Sequence, residues 1–303
     1  MATAILKEIF ELQIVRTRDK KLLEQQEIIY DVGNGEFDHH DMKKEYRFNG
    51  VPYAACGLIW RRYGKEVVLA RDSSLNEQEV QSVFRYIDSA LIQGIDAADN
   101  GIRTCEVKAV PDTSVSNIIS GFNPAWDSNI AEDDAFNKAV DFASVVLENA
   151  LDRQISIIKA REIVISAYNK RERPEILVLD KPYPYMSTLY EIDKDGEVLF
   201  VVFPRDEQYI IQTVRNNNGI RGDRKSLPAS WAGKRDGELS AIIGVRDAIF
   251  CHPQRFIAGA ESFESIMKMA DIAVGTCKRT EKQSWLVTLK RLLLEKRIVI
   301  RRH

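Results

Sequence analysis

The chain has 303 residues and a mass of 34.6 kDa, more than one simple core and suited to two domains of about 150 residues. With 45% hydrophobic and 29% charged residues it has globular composition, which excludes disorder and collagen-like repeats. A net charge of −2 excludes duplex binding through bulk positive charge, although the charge is uneven. Residues 278–303 carry nine Lys and Arg against Glu281 and Glu295, a net +7, which leaves about −9 on residues 1–277.

Taken in order, Ala2–Leu12 places Ile5, Ile9, Phe10 and Leu12 at helical spacing. Its Glu8 and Glu11 and the lack of a basic leader do not read as a secretory signal. Gln13–Thr17 reads as a strand, Lys21–Gln25 as a short charged helix, and Glu27–Asp31 as a second strand. Strand, helix and strand on short links predict a parallel α/β sheet, in which ligands gather at carboxyl strand ends. Asp31 lies at such an end, before the turn Gly33-Asn34-Gly35.

Helices are predicted over Val51–Tyr63 and Asn76–Asp96, the latter with an apolar face at Val80, Phe84, Ile87, Leu91 and Ile95. From Glu132 to about Arg171 the pattern is helical without Pro or Gly, long enough to suggest two helices, and it opens on Glu132, Asp133 and Asp134. The texture changes at Pro174. Ile176–Leu179, Val198–Phe203 and Tyr209–Val214 are short β-rich runs, divided by turns that include Asp195-Gly196 and Asn218-Gly219. A helix at Asp236–Ile243, a strand near Ile249 and a helix at Ser262–Val274 complete an α+β domain. No run approaches the ~18 apolar residues of a membrane span. Cys56, Cys105, Cys251 and Cys277 form no C-x-x-C pair, which suits reduced thiols in a cytoplasmic protein.

Two of the four histidines are adjacent, in Asp38-His39-His40. A carboxylate and two imidazoles in a polar, Gly-flanked loop suit a divalent metal, since these donors fit manganese, zinc or iron. Asp31 can point into the same crevice, as can Asp96 or Asp99 in Gly94–Gly101. Carboxylates at a helix C-terminus oppose its dipole, and a bound cation would offset them. The alternative is a set of solvated loop charges. Trp60, Trp126 and Trp231 read as packing aromatics rather than base-stacking platforms, and Cys56 as a buried small residue.

Ile29-Tyr30-Asp31-Val32-Gly33 followed by Phe37-Asp38-His39-His40 resembles the melanocyte-proliferating-gene family, a branch of the DHH-type metal-dependent phosphoesterases. Further matching blocks follow in order at Ala55–Tyr63, Ile95–Ile102, Phe122–Trp126, Arg224–Pro228 with Trp231, and Phe250–His252 leading to Arg255–Gly259. The resemblance implies a parallel-sheet DHH-type N-terminal domain over residues 1–173 that includes a helical spacer. A smaller α+β substrate-binding domain over 174–277 follows, and residues 278–303, outside the resemblance, read from their own pattern as a basic amphipathic tail. It also implies a hydrolase of phosphodiester bonds, a 3′–5′ exonuclease on RNA or short oligonucleotides, that uses manganese or magnesium.

Carried over by position, Asp31 matches a carboxylate that bridges two metals, His39 a ligand, and His40 an imidazole nearer the scissile phosphate. Asp99, or Asp96, matches the last acidic ligand, and Asp38 completes the namesake motif. Family members open with a T-H-x-G-x-F-H-x-D-E block that is absent before Ala2, so Asp31, His39 and Asp99 are expected to hold one metal rather than two. In the second domain His252, Arg255, Arg224, Lys225 and Gly259 are the candidates for substrate contact. A strand-capping role for His252 and solvated roles for Arg224 and Lys225 stand beside that reading. The alternatives in function are a non-catalytic nucleotide- or RNA-binding relative and a small-molecule pyrophosphatase. An oligomer is compatible with all three.

Overall fold

The computed structural model describes residues 1–40, 44–102, 113–217 and 221–275. The Asn218-Gly219 turn, Cys105, Cys277 and the basic tail lie outside the described residues. The chain divides into two units, Met1–Lys159 and Ala160–His303.

The first unit is built of helices. Helix α1 (Ala2–Lys7) buries Ile5 and Leu6, and α2 (Lys20–Leu23) is capped by Asp19, which accepts from the Lys21 amide at 2.9 Å. The strands expected at 13–17 and 27–31 do not form, and among the described residues this unit holds no named strand. A strand needs a partner for its amides. Here Ile14 and Val15 stand exposed, Arg16 pairs instead with Asp133 at 2.9 Å, and Tyr30 makes a single bridge to Phe37. The expected N-terminal parallel sheet is thereby corrected.

Helix α3 (Ala55–Arg71) carries Cys56, buried as expected. Helix α4 (Glu77–Ile87) starts at a capping box, Asn76 with Glu79. It continues through a π-helical turn, Asp88–Ile92, into α5 (Gln93–Asp99). Helix α6 (Val115–Ser120) follows, and α7 (Glu132–Lys170) is one unbroken helix of 39 residues rather than two. The core gathers Ile5 and Leu6, Ile59, Trp60 and Val67, Val83 and Ile87, and Leu147, Leu151 and Ile155 of α7.

Trp60 stacks on Phe84 with ring centroids 5.6 Å apart and donates its indole N–H to the Phe84 carbonyl at 3.2 Å. Gly64 lies against that stack, where a Cβ would come within 2.7 Å of the Trp60 ring and 2.9 Å of Phe84. Gly64→Val is therefore expected to cost about 1–3 kcal/mol of stability through overpacking, read as a lowered midpoint in urea unfolding.

In the second unit β1 (Ile176–Val178) precedes α8 (Met186–Ile192), then β2 (Phe200–Arg205) and β3 (Gln208–Thr213). A 3₁₀ turn (Ala229–Trp231), α9 (Asp236–Ile243), β4 (Ala248–Cys251), β5 (Ile257–Ala260) and α10 (Phe263–Gly275) follow. The five strands form a mixed sheet in the order β1-β2-β3-β5-β4, with only β1–β2 parallel. Alternation buries both faces. Phe200, Val202 and Ile211 meet Trp231, Leu239, Ile266 and Met269 on one side, and Val201, Phe203 and Ile210 meet Val164 and Leu189 on the other. The matching block that ends at Gly259 runs into strand β5, paired with β3 and β4. Trp60 and Trp231 are core residues as expected. Trp126 is not: it is 97% exposed.

Candidate metal centre

The loop after Tyr30 closes on itself. Asp31 N–H donates to Phe37 O at 3.0 Å, Asp38 N–H donates to Gly35 O at 3.1 Å, and Phe37 anchors the loop in the core. Asp31 has φ 64 and Asn34 φ 56, a left-handed backbone that costs a non-glycine residue free energy. That local strain is held by the closed loop and brings Asp31 beside residues 39 and 40.

Asp31, His39 and His40 present ligand atoms that all lie within 4.8 Å of one another. The His39 ring is buried, with Nδ1 3.5 Å from Asp31 Oδ1 and Nε2 3.5 Å from Asp99 Oδ2. Among the described residues Nδ1 has no hydrogen-bond partner. Two donors each about 2.1 Å from one cation at tetrahedral angles sit about 3.4 Å apart, so the 3.5 Å gap suits a shared metal better than a direct contact. Burial pushes the Asp31 carboxyl up, with the Asp99 charge adding to it and His39 and His40 opposing it. Such crowding of negative charge favours a cation.

The structure places the other sequence candidates differently. Asp38 is buried and accepts from the Asn34 amide at 2.8 Å, the His40 amide at 3.1 Å and His40 Nδ1 at 2.8 Å. Burial raises its carboxyl, but these hydrogen bonds outweigh that and hold it below the ordinary carboxylate value. An ionised carboxylate only accepts, so His40 Nδ1 carries a proton and the neutral ring offers the Nε2 lone pair. Asp38 thus orients His40, the carboxylate–imidazole pairing common behind metal-binding histidines, while Asp99 stands 3.5 Å from His39 Nε2.

Asp96 faces away from this group. Its carboxylate is fully buried, accepts from the Gly57 amide at 2.9 Å, and lies 2.8 Å from Arg47 Nη1. It caps the amino end of α3, whose own N-cap Ala54 has no side chain to offer. Arg47 also grips Asp88 through two hydrogen bonds of 3.0 and 2.6 Å and lies over the Tyr53 ring. In a regular helix Asp88 and Asp96 would point about 80° apart. The π-helical turn inserts one residue and reduces this to about 20°, so a single guanidinium reaches both. A Cβ on Gly57 would lie 1.8 Å from Asp96 Oδ2, which explains the glycine. Arg47 and Gly57 were not singled out in the sequence. Neither has a recognisable local pattern.

In the second unit Arg224 is buried, paired with Asp193 and donating to Val198 O at 2.8 Å, rather than solvated. Lys225 Nζ donates to Val274 O at 2.9 Å at the end of α10. Gly259 lies under the Phe250 ring, where a Cβ would meet Cε1 at 2.7 Å, so its small size serves the sheet. His252 and Arg255 share the β4–β5 turn, with Arg255 at φ 61 and tied to Leu227 at 2.9 Å through its carbonyl. His252 Nδ1 accepts from the Gln254 amide at 3.1 Å, so its neutral ring carries the proton on Nε2.

These blocks are those of a known family: the model of an uncharacterised protein family, UPF0160, the MYG1 exonuclease model, matches residues 1–274. The chain belongs to that family. It is 28% identical over 281 residues to a MYG1 protein of Schizosaccharomyces pombe, covering 85% of this chain and 87% of that protein. A MYG1 protein of Dictyostelium discoideum is 29% identical over 286 residues, 85% of this chain and 86% of its own. A protein of Bos taurus named MYG1 exonuclease is 29% identical over 298 residues, 88% of this chain and 78% of its own. No solved structure matches the chain. Among the described residues no helix is long and apolar enough to cross a membrane.

Proposed function

We propose that the chain is a metal-dependent phosphodiesterase that removes nucleotides from the 3′ end of RNA or short oligonucleotides, with manganese, or magnesium, held by Asp31, His39 and His40. The observation that carries the reading is the buried, unpartnered His39 Nδ1 facing Asp31 within a three-donor group. The relatives named exonuclease support the reaction class. The donor set of one carboxylate and two imidazoles fits a divalent transition metal. Bound there, the metal supplies Lewis acidity toward a phosphoryl oxygen and acidifies a water. Asp38 sets the His40 ring through Nδ1, Asp99 places a second carboxylate 3.5 Å from His39 Nε2, and catalysis is assigned to the first unit.

The test is a time course on end-labelled single-stranded RNA with manganese, beside inorganic pyrophosphate. The expected result is metal-dependent release of mononucleotides from the 3′ end. Hydrolysis of pyrophosphate alone, or RNA cleavage that survives chelation, overturns it.

The second unit is proposed to grip the substrate through His252 and Arg255, with the His252 Nε2 proton aimed at a phosphate oxygen. His252→Ala is expected to raise KM about ten-fold with little change in kcat, measured by steady-state kinetics on the same RNA.

A further inference from the structure

Between the metal centre and α3 the chain makes a narrow ribbon. Tyr46 bridges Pro52, Arg47 N–H donates to Val51 O at 2.9 Å, Tyr53 N–H donates to Glu45 O at 2.9 Å, and Gly50 turns the tip at φ 83. Arg47 points inward to Asp88 and Asp96, so alternation along the ribbon sends Tyr46 and Phe48 outward. Tyr46 is 60% exposed and Phe48 fully so. The ribbon is fastened at both ends: Asn49 Nδ2 donates to Gln93 Oε1 at 3.2 Å, and Lys44 Nζ to Asn100 Oδ1 at 2.8 Å. Both anchors lie along the helix that ends in Asp99. The six steps from Gln93 to Asp99 rise about 9 Å, so the anchor of the tip lies less than two helical turns from the carboxylate beside His39.

A ring held in water at the tip of a fastened turn contributes nothing to the core, and a polar residue would make the same turn. We infer that Tyr46 and Phe48 are a base-stacking platform for the single-stranded nucleic acid whose phosphodiester reaches Asp31, His39 and His40; this rests on the function proposed above. Every nucleobase has a π-face, so the contact tolerates sequence, and the exposed Lys44 supplies positive charge for the adjoining phosphate.

The test is fluorescence anisotropy with a labelled phosphorothioate pentanucleotide in manganese, against the same oligomer with abasic residues. The variants are Tyr46→Ala, Phe48→Ala and the double, both side chains being exposed. Parent protein is expected to prefer the base-bearing oligomer, and the double variant to bind it about ten-fold more weakly while holding the abasic one equally well. Equal loss on both oligomers, or no loss on either, overturns the platform. So does RNA affinity unchanged while binding to phosphatidylglycerol vesicles falls, which makes the tip a membrane contact. If parent protein cleaves RNA and the variants bind as it does, the platform fails and the phosphodiesterase reading stands. If it neither binds nor cleaves, both fail.

Discussion

If the chain has the proposed activity, replacing His39 by Ala is expected to lower manganese-dependent RNA hydrolysis by about three orders of magnitude. The side chain is buried between Asp31 and Asp99 at 3.5 Å to each, so its removal leaves the two carboxylates facing an empty space with no imidazole to share a cation. Stabilisation of the transition state by a bound metal is worth several kcal/mol, and about 1.4 kcal/mol is a ten-fold change in rate. Asp99→Asn keeps the ring in place and removes only the neighbouring negative charge, and is expected to cost only about 10- to 100-fold. Initial rates across a manganese titration separate the two, with circular dichroism as the check on folding. A His39→Ala protein as active as the parent would remove this residue from the centre.

Arg47→Met destabilises the first unit by about 3–5 kcal/mol, because it leaves the Asp96 carboxylate buried without its counter-charge. Urea unfolding measures the loss. Double replacement with Asp96→Leu is expected to recover part of it, since no buried charge is then stranded. Burial pushes Asp96 up to about 6 against the pull of Arg47 and the α3 amides. The folded chain then binds more protons at this carboxyl than the unfolded chain, whose value is about 4, so its contribution makes stability fall as pH rises from about 4 to 6. Asp96→Asn removes that part of the slope, seen by repeating the unfolding across that range. An unchanged slope would place the proton elsewhere.

Much of the second unit was legible because its signals are local. The β-rich runs, the Asp195-Gly196 turn and the two terminal helices need only residue type and alternation to be read, and the structure has all of them. The long helix was legible for the same reason. The first unit was harder. Gln13–Thr17 has strand composition, but a strand exists only when another strand takes up its amides, and within the described residues none does. Asp38-His39-His40 marked the loop in which the candidate donors gather, while the different surroundings of Asp31, Asp38, Asp96 and Asp99 were not readable. Asp96 and Asp99 lie three residues apart on one helix, and only the position of Arg47 makes the first a buried cap and leaves the second beside His39.

Composition and ordered motifs by themselves determined a globular chain, its family and the loop in which imidazoles and carboxylates gather, because these depend on residue identity and short spacings. Tertiary structure alone decided which carboxylate faces His39, why Gly57, Gly64 and Gly259 have no side chain, and that Phe48 and Trp126 meet solvent while Trp60 does not. Each of those depends on what a distant part of the chain brings within a few ångströms, and burial and charge pairing are set there.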